Sequence, residues 1–365
     1  MTQINSMLDE ALYELNHYPG SSFSVACKNF ARVLTGRSVV KDDRIFWPTG
    51  LLSECLLEVY IQLGKESAQS NGKSVAEDEE RQKILGAMKE YFDRWIRGGS
   101  RVYYPDDGCA GYTLVALQEM TGSEKYREAA DKLYEFLRTY RRDERGGIVY
   151  RQEQNNTFVF ADGIGEMCPF LARYGKAYDN SGAINLAVGQ ILNYLEFGFD
   201  EKTGLPYHGY DAENGMKYGL LGWGRAVGWM MIGMVGTLES MNPAHPDYTR
   251  IKQAFRMLVS KVEIYQLEGG LYTWHLLAKE GPVDTSATGM ILYAIAKGVE
   301  LGILIENHKN RLNKGRQALQ NCVKDYRVYG ALSECKGFAE HPQIYGAYPW
   351  SQGPALALEY MQYGK

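Results

Sequence analysis

Two groups of acids and one arginine are the residues of this chain best suited to chemistry. Asp162 stands alone in the stretch 158–175, FVFADGIGEMCPFLARYG, which is otherwise apolar, aromatic or glycine, apart from Glu166 and the late Arg173. A carboxylate in such surroundings is costly unless it is paired, hydrogen-bonded or used. Burial there favours the protonated form, which a general acid needs near neutral pH. The structural alternative is a simple helix cap. Asp106 and Asp107, in DDGCAG, form the second group. Two carboxylates held in environments that separate their proton affinities are the usual means of glycoside chemistry. Arg225 lies between Trp223 and Trp229 in WGRAVGW, where a guanidinium can take a carboxylate while a sugar ring stacks on an indole. It is equally suited to structural stacking in a core. His208 and Asp211, in HGYD, precede that motif. Glu166 follows Asp162 by one helical turn, as a third site carboxylate or a local partner.

These residues need elements to position them, and helical periodicity supplies those elements. Segments 3–17, 79–97, 123–140, 247–263 and 305–327 are amphipathic or charged, and 181–197 is mixed. Segments 50–63, 109–120, 163–175, 224–239, 285–303 and 352–362 are apolar nearly all round, the pattern of a buried helix. The two kinds alternate, giving twelve helices. Residues 146–154 and 269–277 read as hairpin strands within loops, and the polar run 65–80 reads as a surface loop.

The apolar helices start from recurrent motifs: Trp47 (WPTG), Asp106 (DDGCAG), Asp162 (DGIG), Trp223 (WGRAVG), Asp284 (DTSATG) and Trp350 (WSQGP). Successive differences are 59, 56, 61, 61 and 66 residues. A period of about sixty, with one outer and one inner helix per unit, marks a repeat. Six such units closed in a ring make an all-α (α/α)6 barrel, here a single domain spanning 1–365. In that ring the inner helices run in one direction and their N-termini share one face. Trp47, Asp106, Asp162, Trp223, Arg225, Asp284 and Trp350 are therefore expected to converge on one cup. Free N–H groups and positive dipole ends there favour an anionic ligand.

Composition narrows the function further. Lys+Arg 40 against Asp+Glu 44 leaves no basic excess for nucleic-acid binding. The 27 tyrosines, against 12 Phe and 6 Trp, offer flat faces with hydroxyls suited to a sugar, or fill large helical interfaces. The six cysteines form no CxxC pair. The first residues carry no secretory pattern, and no apolar run reaches membrane-spanning length. The expectation is a cytoplasmic protein, monomer or homodimer, with reduced thiols, no membrane partner and no cofactor. Walker, GxGxxG, HExxH and GxSxG motifs are absent, and no Cys/His spacing suggests a metal site.

ADGIGEMCPFLARYG, HGYD, WGRAVGW, DTSATGMILYAIAKGVELG and YPWSQGPAL, in this order, resemble the motifs of the unsaturated uronyl hydrolases, glycoside hydrolase families 88 and 105. The resemblance runs from about Trp47 to about Leu358. It implies an (α/α)6 barrel and removal of a 4,5-unsaturated uronic acid from the non-reducing end of a lyase-generated oligosaccharide. Asp162 then matches the acid that protonates C4 of the vinyl ether. Asp106 matches the second site aspartate, with Asp107 as the alternative register. His208, Trp223, Arg225 and Trp229 match pocket positions, and Trp47 and Trp350 join them from the shared face. The chain departs from the family pattern at Gly165 and Glu166, where bulky residues are usual. Two other classes use the same toroid: another glycosidase or a sugar epimerase, which needs histidines facing the cup, and a non-catalytic carbohydrate-binding relative.

Overall fold

The computed structural model describes residues 3–19, 22–34, 45–69, 75–152, 157–305 and 308–362. The apolar segments form the inner helices: α3 (Trp47–Gln69), α5 (Gly111–Thr121), α7 (Ala161–Ala177), α9 (Gly224–Ser240), α11 (Thr285–Glu300) and α13 (Pro349–Tyr360). Each packs on the next, and α13 closes back on α3. The amphipathic segments form the outer layer: α1 (Gln3–His17), α4 (Val75–Arg97), α6 (Glu124–Thr139), α8 (Ser181–Phe197), α10 (Tyr248–Val262) and α12 (Lys309–Gln320). Each outer helix lies against an inner neighbour, α1 against α13. This is the (α/α)6 barrel that the sixty-residue period predicts.

Apolar contact drives the arrangement. On α9 every residue from Gly224 to Leu238 is buried, whereas α6 buries only Tyr126, Ala129, Ala130, Leu133 and Leu137 along one stripe. Burial of such stripes is worth about 25 cal/mol per Å². Glycine lets α7 and α9 approach closely. A Cβ at Gly233 would stand 2.6 Å from the Ile164 carbonyl oxygen, and one at Gly165 would stand 2.4 Å from the Trp229 ring. Gly165 is thus a packing requirement: a bulkier residue there and Trp229 exclude one another.

The structure differs from the sequence reading in several places. A thirteenth α-helix among the described residues, α2 (Ser22–Leu34), precedes α3. The polar run 65–80 is largely helical, because α3 continues to Gln69 and α4 starts at Val75; residues 70–74 lie outside the described residues. The inner helix expected at 109–120 begins as a 3₁₀ turn, Pro105–Ala110. The long helix expected at 305–327 ends at Gln320, and 306–307 lie outside the described residues. Beyond it β4 (Val323–Lys324) and β5 (Arg327–Val328) pair across Asp325 and Tyr326, both at positive φ. Two consecutive left-handed residues are the geometry of a tight hairpin turn, which no helix continues through.

The hairpin expected at 146–154 is displaced. Arg142 bridges Ile148 around a turn in which Asp143 accepts from Arg145 N and Gly147 N, and 153–154 lie outside the described residues. The sheet in this region is instead β1 (Phe158–Phe160), β2 (Gly209–Asp211) and β3 (Met216–Tyr218), all antiparallel. At 269–277 there are only single bridges, Trp223 to His275 and Thr273 to Val283. A further pair, β6 (Ala331–Leu332) and β7 (Tyr345–Gly346), brackets residues 333–344, called here the strap. No described helix is long and apolar enough to cross a membrane.

Candidate active site

Strand β1 runs directly into α7, and this junction places Asp162. The N-cap position is Phe160, which makes no side-chain cap. Asp162 is therefore the second residue of the helix rather than its cap. The helix start is held from outside: Ala161 N–H donates to the His208 carbonyl at 2.9 Å. Pairing of Phe160 with Gly209 fixes the same junction. His208 is thereby brought over the first turn of α7, and its Nε2 lies 3.2 Å from Asp162 Oδ2. The pair is close, yet the geometry is not that of a hydrogen bond: Asp162 Oδ2 and both His208 nitrogens are buried without a partner.

Aromatic rings enclose the pair. His208 meets Phe160 edge-on at 5.0 Å and Trp223 at 4.4 Å between centroids. Trp223 is the N-cap residue of α9 and its Nε1 is also buried and unpartnered. Buried polar atoms are nearly always satisfied, so a cluster of orphans on one spot marks where a polar ligand belongs.

Tryptophans back the cup on its other side. Trp47, at the start of α3, lies 4.8 Å from Trp350 and 6.0 Å from Trp229. Trp229 and Trp350 are fully buried, whereas Trp47 is part-exposed and is the ring of the three that offers a face to a ligand. Trp350 Nε1 donates to the Leu332 carbonyl, so it also anchors the root of the strap.

Arg225 departs from its expected role. It is buried, its guanidinium lies 4.6 Å from the Trp223 ring, and both ends of its fork are engaged. Nη1 donates to Leu332 O at 2.7 Å and Nη2 to Ser333 O at 2.9 Å. The fork expected to clamp a ligand carboxylate thus holds the strap instead. Asp284 has a similar duty. It caps α11 by accepting from Ser286 N and Oγ, and it accepts from Leu332 N at 3.1 Å.

Asp106 and Asp107 diverge. Both are buried in the 3₁₀ turn 105–110, which packs against α7. Asp107 Oδ2 accepts from Tyr103 N at 2.7 Å and Tyr104 N at 3.2 Å, a capping arrangement that leaves Asp106 as the site candidate of the two. Glu166 is buried on the turn of α7 beneath, where its carbonyl faces Gly108. Its charge and that of Asp106 both act on the Tyr150 phenol, which burial pushes well above its ordinary range. Asp211 is drawn away from the cup: it accepts from Thr157 Oγ1 and Asn214 Nδ2 and so fastens the β2–β3 turn.

The sequence reading missed the strap. Phe338 stacks on Phe160 at 3.9 Å and 11°, and His341 sits 4.8 Å from Trp223 and 5.5 Å from His208. Both His341 nitrogens are buried without a partner. Burial, His208 and Arg225 push its imidazole down to about 4, with Asp162 and a backbone contact at Phe338 opposing, so it is neutral at neutral pH. A separate depression of about 870 Å³ lies between outer helices α8 and α10 and shares no residue with this cluster. Its lining of Met257, Leu258 and solvated charges lacks the buried unpartnered groups that mark the cup.

Comparison with known proteins agrees with this fold. The sequence profile of Glycosyl Hydrolase Family 88 matches residues 28–357. The unsaturated rhamnogalacturonyl hydrolase YesR of Bacillus subtilis is 23% identical over 295 residues, covering 76% of this chain and 83% of that protein. A possible member of the GH105 family from Klebsiella pneumoniae superposes with a TM-score of 0.82 at 17% identity, over 98% of this chain and 92% of its own. The unsaturated glucuronyl hydrolase of Bacillus sp. GL1 superposes with a TM-score of 0.63 at 17% identity, over 88% and 87%. The match over most of the chain, with the toroid and the acid-bearing cup, makes this chain a member of Glycosyl Hydrolase Family 88.

Proposed function

We propose that this glycoside hydrolase removes a 4,5-unsaturated uronic acid from the non-reducing end of an oligosaccharide, by hydrating the vinyl ether. The observation that carries the reading is the Asp162–His208 pair, 3.2 Å apart and unpartnered, at the helix end facing the cup. The names of the relatives, which act on unsaturated glucuronyl and rhamnogalacturonyl groups, support it.

In this mechanism protonated Asp162 delivers its proton to C4, and the double-bond electrons form the new C–H bond. Positive charge develops at C5 and is shared by the ring oxygen. Water adds to C5 and gives up a proton, which restores Asp162. The resulting hemiketal opens by breaking the bond between C5 and the ring oxygen. That leaves a hemiacetal at C1, which expels the remaining sugar. His208, whose Nε2 lies 3.2 Å from Asp162 Oδ2, fixes the position of the carboxyl beside the substrate. Asp106 binds sugar hydroxyls, and Trp47 supplies the stacking face.

The test is loss of the ultraviolet absorbance of the conjugated double bond on adding enzyme to lyase products of pectin, glycosaminoglycan and ulvan. The expected result is turnover of at least one class. Absence of turnover on all three, with a saturated glycoside cleaved instead, would contradict the reading.

A further inference from the structure

The proposed substrate carries a carboxylate at C5, and the cup must recognise it. An arginine fork is the ordinary partner for that group. Here Arg225 is engaged by Leu332 O and Ser333 O, so its bidentate face is turned to the strap. The unpartnered polar atoms beside it are different ones: Trp223 Nε1, the two nitrogens of His208 and the two of His341. They come from three separate segments, the α9 cap, the loop before β2 and the strap, and their rings lie 4.4 to 5.5 Å apart. Trp223 Nε1 is an obligate donor, and a neutral imidazole supplies one N–H. His208 lies against Asp162, which leaves Trp223 Nε1 and His341 as the donors of this cluster with no side-chain partner.

On the basis of the function proposed above, we propose that His341, together with Trp223 Nε1, binds the C5 carboxylate of the substrate, and that the strap is the element selecting acids over neutral sugars. Arg225 acts at one remove. It holds the root of the strap, and its charge beside the site favours an anion. Phe338, stacked on Phe160, fixes the middle of the strap so that His341 points inward.

The experiment compares an unsaturated uronyl disaccharide with its neutral methyl ester, for wild type, His341→Ala and His341→Gln. A hydrogen bond to a charged group contributes roughly 1.5–3 kcal/mol, so its loss weakens binding by about 10- to 150-fold. His341→Ala is expected to raise KM for the acid by that order while leaving KM for the ester within about two-fold, by the same principle. His341→Gln, which keeps an N–H donor, should recover much of the preference. Equal losses on acid and ester would overturn the proposal. So would disappearance of the acid preference in Arg151→Gln with His341→Ala unaffected; Arg151 stacks on Tyr104 and Tyr150 and is the rival cation.

If His341→Ala does not fold, imidazole nitrogen chemical shifts of the wild type, with and without saturated glucuronate, read the same contact. Bound glucuronate that leaves the His341 shifts unchanged overturns the proposal. This readout also stands if the wild type fails to turn over any unsaturated substrate, a result that would remove the hydration mechanism alone.

Discussion

The inner helices carry two buried polar clusters, one at their N-terminal ends and one deeper along their length, and the two are built on opposite plans. In the deeper cluster the polar groups satisfy one another. Lys297 on α11 donates to Glu58 on α3 and Glu239 on α9, both at 2.8 Å. Tyr112 donates to Glu239 at 2.6 Å, and Gln62 links Glu58 to Glu300. Burial raises the Glu239 carboxyl, but Lys297, Tyr112 and Arg173 outweigh it and hold the group below its ordinary range. The cation lies towards the helix C-termini, where the dipole favours it. In the cup, by contrast, Asp162 Oδ2, Trp223 Nε1 and the ring nitrogens of His208 and His341 are buried and unanswered. Mutual satisfaction fastens the ring, whereas the clustered unpartnered atoms of the cup are the ones a polar ligand can answer.

Substitutions that exchange the two behaviours would break this comparison. The largest effect is expected at the acid. Asp162→Asn should lower kcat by about 10²- to 10⁴-fold, the ordinary worth of a general acid. Its melting temperature should match wild type, because the lost carboxylate has no hydrogen-bond partner to forfeit. A stability loss equal to that of the deeper cluster would mean that Asp162 is structural.

Next comes Lys297→Met, which leaves Glu58 and Glu239 buried without their cation. Breaking one partner of a buried pair costs about 3–5 kcal/mol. Denaturant unfolding should show that loss, while kcat of the folded fraction stays within a few-fold of wild type. Gly165→Ala ranks third. Its Cβ would press on Trp229, which in turn meets Trp47 edge-on. Overpacking of this kind costs about 1–3 kcal/mol. Here KM should rise together with the stability loss, since the stacking face shifts.

The remaining effect is a dependence on pH rather than a fixed loss, and it concerns Glu54, at the edge of the deeper cluster. Burial lifts its carboxyl from 4.5 to about 8, with Lys297 opposing and Glu239 and Glu58 adding to the shift. The unfolded chain releases this proton near 4.5 and the folded chain near 8. Between those values the folded state binds more protons, so this group's contribution to stability falls as pH rises. The limiting slope for one group is about 1.4 kcal/mol per pH unit. Glu54→Gln should remove that decline. Parallel stability–pH curves for wild type and variant across pH 5 to 8 would show that the group is ionised throughout.

How much of this was legible in the sequence follows from the kind of signal each part leaves. The ring is legible because the cores of α3, α5, α7, α9, α11 and α13 are apolar nearly all round, and because their starts recur near every sixty residues. Asp162, His208 and Trp223 stood at those starts or beside them. The strap left no such signal: SECKGFAEHPQI has neither helical nor strand periodicity. Its place is set by Arg225 and Trp350, more than a hundred residues and about eighteen residues away respectively. The same contacts decide between the two roles open to Arg225, since a sequence shows a guanidinium between two indoles and not the carbonyls that occupy it. Gly165 looked like a departure at the catalytic centre, and only the crossing of α7 and α9 reveals it as clearance for Trp229. The tail of the helix expected to reach 327 was undone by two left-handed residues, Asp325 and Tyr326, whose types do not announce that backbone.

The central claim is that the unanswered acid of the cup protonates a carbon, not a glycosidic oxygen. Turnover of an unsaturated uronyl disaccharide in deuterium oxide, followed by NMR, tests it directly. The account predicts one deuterium at C4, in a single configuration, with loss of the double bond keeping step with release of the second sugar. Release of that sugar ahead of the loss of the double bond, with deuterium entering C4 later in both configurations, would contradict it.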